Sequence, residues 1–331
     1  MSYAIELGLD TFGDVTVSPD GTLISQAQAL RHVVEEAVLA ESVGVDCFGV
    51  GEHHRADFAI SAPEVVLAAI AGKTTKMTLG SAVTVLSTDD PVRVFQRFST
   101  LNALSNGRAE VILGRGSFTE SYSLFGYDLS QYEELFETKL ARFAGLLKGA
   151  QVVYPPIEAG TLRTWVGVGG SPESVVRAAR HGLPLTLAII GGSAQRFRPF
   201  VDLYHQSLAK FGKPTQPVAV HSPGHIAATD DQAKEELWPH YQAMMTRIGA
   251  ERGWPPVARA NFEREAGPDG ALYVGSPETV AAKIARTIQA LGLARFDMKY
   301  SAGTLPHAQA MSSIELYGTK VAPLVRDRLA G

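Results

Sequence analysis

The residues with the clearest capacity for chemistry lie in 49-GVGEHHRADFAISAPE-64, where a glutamate and two histidines follow a short apolar run. Carboxylates and imidazoles can bind a metal ion, and a histidine can also move protons near neutral pH. Successive side chains of an extended backbone point to opposite sides, so His53 and His54 cannot both reach one ion without a sharp bend. We therefore expect a single histidine to act in a site, with Glu52 and His54 on one side of the chain and His53 on the other. A metal site of Glu52, His53 and His221 is the alternative.

Two further polar stretches could bind an anion. The stretch 112-ILGRGSFTES-121 places Arg115 between two glycines, and 167-GVGGSPESVVRAA-179 places glycines before a sequence typical of a helix start. A guanidinium pairs with phosphate through two hydrogen bonds, and N–H groups at a helix start also attract anions. The ordinary alternatives are a salt-bridged arginine and a plain helix cap at Ser171. The second stretch lacks the third glycine of G-x-G-x-x-G, so it does not predict a dinucleotide fold.

Eight short apolar runs, which alternate with longer amphipathic segments, must position these residues. Several runs are rich in β-branched residues, as is typical of parallel strands buried on both faces. Strands are predicted at 4–10, 45–51, 77–85, 109–114, 164–169, 184–190, 218–229 and 296–302. Helices are predicted at 25–44, 62–74, 90–107, 131–149, 172–182, 194–212, 276–292 and 308–329. Eight strand–helix units predict an α/β fold, a (β/α)8 TIM barrel, with an open doubly wound sheet as the alternative.

In such a barrel the active site forms at the carboxyl ends of the strands, where the glycine and polar residues concentrate. Two segments exceed the minimal strand–helix unit: a polar loop at 115–130 after strand four, and an insertion at 230–275 after strand seven. Long connections in compact domains are often lids, binding loops or subunit contacts. We interpret residues 1–331 as a single barrel domain that carries these two insertions.

The composition argues against several classes of function. The chain of 331 residues has a formal net charge of −4 and no basic run, so nothing favours nucleic acid as a partner. Its one cysteine, Cys47, excludes an internal disulfide and a cluster of thiolate metal ligands. No apolar run is long enough for a membrane span, and the first residues lack the pattern of a signal peptide. We expect a cytoplasmic protein.

Four blocks, in this order, resemble the bacterial luciferase-like flavin-dependent monooxygenases. They are E-H-H after strand two, G-S-A-V-T-V-L-S-T-D-D-P-V-R, L-S-N-G-R-A-E-V-I-L-G-R-G-S and F-G-Y-D. The combination is specific, although no single block would be. The resemblance runs from about Leu7 to 303-GTLPH-307 and is best defined over 45–130. It implies a (β/α)8 barrel with insertions, a homodimer, and FMN, taken up in its reduced form, as the cofactor.

The resemblance also implies roles for individual residues. His53 matches the histidine near the reactive edge of the isoalloxazine ring, which is implicated in catalysis. Ala82 and Val83 match a strand-three step that carries a non-prolyl cis peptide under the ring in many members. Arg115 matches the arginine that contacts the flavin phosphate. The other predicted cofactor contacts are Thr84, Gly169, Gly170, Ser171 and Ser174.

Two positions depart from the luciferases. A glutamate stands there where Gly170 aligns, so the phosphate contacts here should rely more on the backbone. The reactive cysteine of the luciferases aligns with Gly114, so no thiol role is expected for Cys47.

The function implied is oxidation of a small organic substrate by reduced FMN and O2, with electrons from a separate NAD(P)H:flavin reductase. The alternatives are a deazaflavin-dependent reductase of the same fold, a flavin-binding protein without turnover, and a metal-dependent barrel hydrolase. The residues leave the organic substrate unidentified.

Overall fold

The structure is a computed structural model that describes residues 5–330, so Ala4 of the first predicted strand lies outside the described residues. Strands and helices alternate along the chain. The first half contains β1 (Glu6–Thr11), α1 (Gln26–Ser42), β2 (Cys47–Val50), α2 (Pro63–Ala71), β3 (Thr78–Ser81), β4 (Thr84–Val85), α3 (Pro91–Leu104), β5 (Ala109–Gly114), α4 (Glu120–Leu124) and α5 (Tyr132–Leu147). The second half contains β6 (Arg163–Val168), α6 (Pro172–His181), β7 (Leu185–Ala188), α7 (Arg198–Lys210), β8 (Val218–Ile226), α8 (Asp230–Arg252), α9 (Arg259–Ala266), β9 (Tyr273–Gly275), α10 (Pro277–Leu291), β10 (Arg295–Lys299), α11 (His307–Leu316) and α12 (Ala322–Ala330).

The sheet is parallel and closes on itself. Its strands follow the order β1, β2, β3, β5, β6, β7, β8 and β10, and β10 pairs with both β8 and β1. The two remaining strands are short: β4 pairs with β5, and β9 pairs with the end of β8. All eight predicted strands therefore lie in one closed barrel, which confirms the (β/α)8 prediction and excludes the open sheet.

Local signals in the sequence account for where several helices begin. Asp90, Ser171 and Ser276 each accept a hydrogen bond from a backbone N–H in the first turn of the helix that follows, and each is succeeded by a proline. A short polar side chain satisfies an N–H that has no partner within the helix, and proline has no N–H to lose there. These three helices, α3, α6 and α10, therefore begin directly after a polar capping residue.

Alternation along β1 shows how the strands divide the interior of the protein. Leu7 and Leu9 are fully buried in the apolar layer between the barrel and its helices. Gly8 faces the inside of the barrel, where an added Cβ would lie 2.0 Å from the Oδ1 of Asp297. This position needs glycine because a charged side chain already occupies the space.

Charged residues fill the base of the barrel. The guanidinium of Arg295 donates from Nε to both oxygens of Asp297, at 2.8 Å each, and also pairs with Glu110. The Nε1 of Trp165 donates to Glu110 at 3.2 Å. Arg163, the first residue of β6, pairs with the same carboxylate at 2.8 Å. Burial raises the pKa of Glu110, but Arg295 and Arg163 outweigh burial, so this pKa lies below its ordinary value. Each buried carboxylate at the base of the barrel is thus paired with at least one arginine.

Both insertions contain helices. The segment 115–130, predicted as a polar loop, includes α4, because a short stretch there can bury Ser121 and Tyr122. The segment 230–275 forms α8, α9 and β9, with a separate apolar cluster around Phe262. No helix within residues 5–330 combines the length and the apolar character needed to cross a bilayer.

Candidate active site

A cavity of about 650 Å³ opens at the carboxyl ends of the barrel strands. This volume lies in the range of sites that hold small molecules and cofactors, about 300–1,000 Å³. Strand ends form its floor, the segment after β5 forms one side, and α8 forms much of an apolar wall. The apolar wall residues from the second insertion are Leu237, Tyr241, Met244, Met245, Ile248, Trp254 and Leu272.

His53 lies on the cavity wall inside a cluster of aromatic rings. Its backbone N–H donates to the carbonyl of Ile60 at 2.8 Å, which holds the segment after β2. Its imidazole lies 4.5 Å from the ring of Phe12, 4.6 Å from that of Phe58 and 5.2 Å from that of Phe118, between ring centroids. Burial lowers the pKa of His53 to about 3. The ring is therefore neutral at physiological pH, with one nitrogen that donates and one that accepts.

Glu52 and His54 lie together on the other side of the chain, as alternation predicts. The Nε2 of His54 is 2.9 Å from the Oε1 of Glu52, whose Oε2 accepts the backbone N–H of Val85 at 2.8 Å. The carboxylate thus joins the segment after β2 to β4. The Nδ1 of His221 bonds to Asp10, and within residues 5–330 the ligand atoms of Glu52, His53 and His221 do not come together as a metal site.

The Ala82–Val83 peptide bond is cis, as the resemblance implies, and both residues line the cavity. Glycines on the neighbouring strands make room for this step. An added Cβ at Gly114 would lie 2.4 Å from Val83, one at Gly167 would lie 2.9 Å from Val83, and one at Gly49 would lie 3.0 Å from the Cβ of Ala82. The Ala82–Val83 peptide is therefore flanked by glycine backbone on three strands, β2, β5 and β6.

Arg115 lies at the cavity wall as predicted, but it already has an anionic partner. Its guanidinium pairs with Glu133 and lies 5.1 Å from the centre of the Tyr132 ring. The Nη2 of Arg177 also donates to Glu133, at 3.1 Å. The salt-bridge interpretation of Arg115 is therefore confirmed, and a phosphate at this position would compete with Glu133 for it.

The start of α6 is a capped helix terminus, as the ordinary alternative predicted. The Oγ of Ser171 accepts the N–H of Ser174 at 3.3 Å. Gly169, Gly170 and Ser171 line the cavity, and a Cβ added at either glycine would meet nothing within 4 Å. This corner of the cavity therefore has space beside exposed backbone. The phosphate contact itself stays a prediction.

Two of the predicted contact residues lie outside the cavity wall. The hydroxyl of Thr84 is buried and donates to the Oγ of Ser81 at 2.9 Å. The hydroxyl of Ser174 is buried against Arg177, whose Nη1 donates to it at 3.4 Å. Both side chains point into the protein interior and away from the cavity opening. The cavity geometry therefore gives no support to their predicted contacts with a cofactor.

Sequence reasoning missed an aspartate–histidine pair on the floor. The Nδ1 of His221, on β8, lies 2.7 Å from the Oδ2 of Asp10, at the end of β1, and the Oδ1 of Asp10 is buried without a partner. Burial lowers the pKa of His221, but Asp10 outweighs it, so this pKa lies above its ordinary value. Asp10 ends a predicted strand, so the comparison of strand ends that singled out His53 could have found it.

Ion pairs join the two insertions at the cavity mouth. The Nη2 of Arg55 lies 2.6 Å from the Oε1 of Glu251 on α8, and the same guanidinium pairs with Glu120 on α4. Its Cζ lies 4.4 Å from the centre of the Phe118 ring. The Nη2 of Arg252 donates to the carbonyl of Ser117 at 3.2 Å. These contacts hold α8 against the segment after β5.

Comparison with known proteins identifies curated relatives, solved structures of the same fold and a matching family model. Among curated relatives, the chain is 28% identical over 218 residues to the alkanal monooxygenase alpha chain of Photorhabdus luminescens, which covers 61% of this chain and 59% of that one. It is 32% identical over 179 residues to the N-acetyl-S-alkylcysteine monooxygenase of Bacillus subtilis, covering 49% and 52%. The chain thus spans about 60% of the length of the alkanal monooxygenase chain that it matches.

Solved structures share the fold along nearly the whole chain. Monooxygenase RslO1 from Streptomyces bottropensis superposes with a TM-score of 0.81 at 18% identity, covering 96% of this chain and 99% of that one. The oxygenating constituent of 3,6-diketocamphane monooxygenase from Pseudomonas putida, in complex with FMN, gives 0.79 at 19%, covering 97% and 99%. An F420-dependent secondary alcohol dehydrogenase gives 0.73 at 15%, covering 97% and 99%.

The family model described as luciferase-like monooxygenase matches residues 11–295, most of the chain. The resemblance that the four sequence blocks indicate is therefore confirmed: this chain belongs to the luciferase-like monooxygenase family.

Proposed function

We propose that this protein is an FMN-dependent monooxygenase that uses reduced FMN and O2 to oxidise a small, largely apolar organic substrate. The observation that carries the proposal is a neutral His53 among aromatic rings, in a cavity that also has open backbone at Gly169 and Gly170 near Arg115. A flavin needs apolar contacts for its ring system, a cationic or N–H-rich place for its phosphate, and protection from bulk water.

The residues present fit such a cofactor. Ala82 and Val83, with bare backbone on both sides, provide an apolar surface for a planar ring system. Arg115, Ser171 and the exposed backbone at Gly170 provide the place for a phosphate. When bound, FMN supplies the electrons that activate O2, and the protein supplies position and surroundings.

The chain's own contribution near the reacting atoms comes from His53. A neutral imidazole can hold a proton on one nitrogen and accept one on the other, so it can hydrogen-bond to a bound ring or substrate. Phe12, Phe58 and Phe118 exclude water around it. The apolar wall from α8 favours a substrate without charge.

The test is to supply photoreduced FMN to the purified chain under isotopically labelled O2, with an alkanal. The alkanal is the first substrate to try because one relative is named an alkanal monooxygenase. We expect flavin binding, slower flavin reoxidation than in free solution, and one labelled oxygen atom in the product. The His53→Ala variant should retain flavin binding and lose oxygen transfer, whereas His205→Ala, on α7, should behave as the wild type.

The same preparation distinguishes the alternatives. Reduction of F420 by an alcohol, with no response to FMN, would support the deazaflavin-dependent reductase instead. Binding of FMN without any substrate oxidation, over a panel of aldehydes, ketones and thioethers, would support the non-catalytic protein. The homodimer and the separate NAD(P)H:flavin reductase are part of this proposal and derive from the family resemblance. Analytical ultracentrifugation and reconstitution with a reductase test them.

A further inference from the structure

A second group of potential ligands lies on the helical layer, away from the cavity. His32 and Glu35 lie one helical turn apart on α1, so their side chains share a face. His307, the first residue of α11, stacks on His32 with ring centroids 3.8 Å apart and planes at 11°. Within residues 5–330, these three form the one group of histidine and carboxylate residues whose ligand atoms all lie within 4.8 Å of one another.

A buried carboxylate orients His307. The Oε2 of Glu36 accepts the hydroxyl of Tyr300 at 2.6 Å, and its Oε1 lies 2.9 Å from the Nδ1 of His307. Nδ1 must therefore carry a proton, and Nε2 is left for another partner. A carboxylate that holds the far nitrogen of an imidazole in this way is a regular feature around metal-binding histidines.

The Nε2 of His307 faces a second carboxylate. It lies 3.5 Å from the Oε2 of Glu35. An imidazole lone pair and a carboxylate oxygen repel each other unless a positive species lies between them. Ligand atoms of a tetrahedral zinc ion, with bonds of about 2.0–2.2 Å, are about 3.3–3.6 Å apart. The spacing of these two atoms is therefore the spacing of one edge of such a site.

We propose that His32, Glu35 and His307 bind a divalent ion of the zinc type, with water as the fourth ligand. Binding requires the ring of His32 to rotate out of its stack on His307, so that one of its nitrogens can aim at the ion. The ion would join α1 to the segment that follows β10. That segment contacts the cavity wall, because the Oγ1 of Thr304 lies 2.8 Å from the Nδ1 of His240 on α8.

The competing occupant of the gap is a proton on Nε2. Burial lowers the pKa of His307, but Glu36 and Glu35 outweigh burial, so this pKa lies above its ordinary value. A proton would satisfy the pair of His307 and Glu35 without any help from His32. The two occupants therefore differ in whether His32 takes part.

The test uses the full, untagged chain, stripped of metal with a chelator and titrated with zinc chloride by calorimetry. We expect one ion per chain with micromolar affinity. Loss of a ligand in His32→Gln, Glu35→Gln or His307→Gln should weaken binding at least about tenfold, and Glu36→Gln should weaken it about 10- to 100-fold through the orientation of His307. His205→Gln, which removes a histidine from α7, is the matched control and should bind as the wild type does.

Thermal unfolding provides a second measurement. Zinc should raise the Tm of the wild type and of His205→Gln, and should leave the Tm of Glu35→Gln unchanged, because binding to the folded state alone stabilises it. The Glu35 side chain is 59% exposed, so this variant is expected to fold. Equal zinc affinity in all variants, undiminished binding in His32→Gln, or no binding at millimolar zinc would each overturn the proposal. The last result would assign the gap to the proton.

Discussion

Gly114→Ala tests whether the close packing around Val83 is required for the cavity floor. The added Cβ would lie 2.4 Å from one methyl of Val83, 3.3 Å from the other and 3.0 Å from its Cβ. Carbon atoms in contact are ordinarily about 3.5–4.0 Å apart, so one side must move by more than about 1 Å. Valine is stiff about χ1, and β6 on its other side is also close, since a Cβ added at Gly167 would lie 2.9 Å from Val83. Overpacking of this kind costs about 1–3 kcal/mol.

The assays are thermal unfolding and the quenching of flavin fluorescence on binding. We expect the Tm to fall by about 2–6 °C, since a large chain shifts by about 2 °C per kcal/mol. We also expect a higher Kd for FMN, because the displaced Val83 no longer offers a level surface. Gly191→Ala is the matched control: it follows β7, is exposed, and its new Cβ would meet nothing within 4 Å.

A compensating change sharpens the test. In Val83→Ala/Gly114→Ala, both methyls that the new Cβ meets are gone. The Tm of this double variant should therefore lie close to that of Val83→Ala alone. If Gly114→Ala and Gly191→Ala had the same Tm and the same Kd, the packing argument would be refuted.

Three further predictions concern charge. Glu133→Gln should tighten FMN binding by up to about five-fold, because Arg115 loses a competing and partly exposed partner; equal Kd values by fluorescence titration would contradict this. Asp10→Asn should lower the pKa of His221, since the carboxylate keeps that pKa above its ordinary value; NMR titration of the ring should show the midpoint at lower pH. The pKa of His53 is lowered from 6.5 to about 3 by burial, so the unfolded chain takes up a proton that the folded chain refuses, and stability falls as the pH drops through this window. Between pH 6.5 and about 4, the Tm of His53→Gln should therefore fall less than the Tm of the wild type. Parallel Tm profiles for the two proteins would contradict this prediction.

The parts of the fold that follow local rules were predictable. Apolar runs marked all eight barrel strands, and Ser–Pro and Asp–Pro pairs marked helix starts. Alternation along an extended chain correctly separated His53 from His54. These features depend on residues close in sequence, whose geometry is known before the chain folds.

The features that were missed depend on contacts between distant segments. Asp10 and His221 are 211 residues apart and meet only because the barrel closes. The short helix in 115–130 forms against the protein, and its sequence alone is too polar to indicate it. The sequence allowed a salt-bridged Arg115, but it did not indicate that Glu133 on α5 is the partner.

The ionic base of the barrel has a consequence for which parts of this chain can be substituted singly. Glu110, Arg295 and Asp297 compensate one another with side chains that are at most 5% exposed. Loss of Arg295 takes the buried cation away from both Glu110 and Asp297, and removal of a buried partner costs about 3–5 kcal/mol, so we expect this arginine to be replaced only together with its partners. The partly buried wall residues Met244, Met245 and Ile248 on α8 carry no charge, so we expect single exchanges there to cost less. We therefore expect this wall, rather than the base of the barrel, to accept substitutions that alter substrate preference.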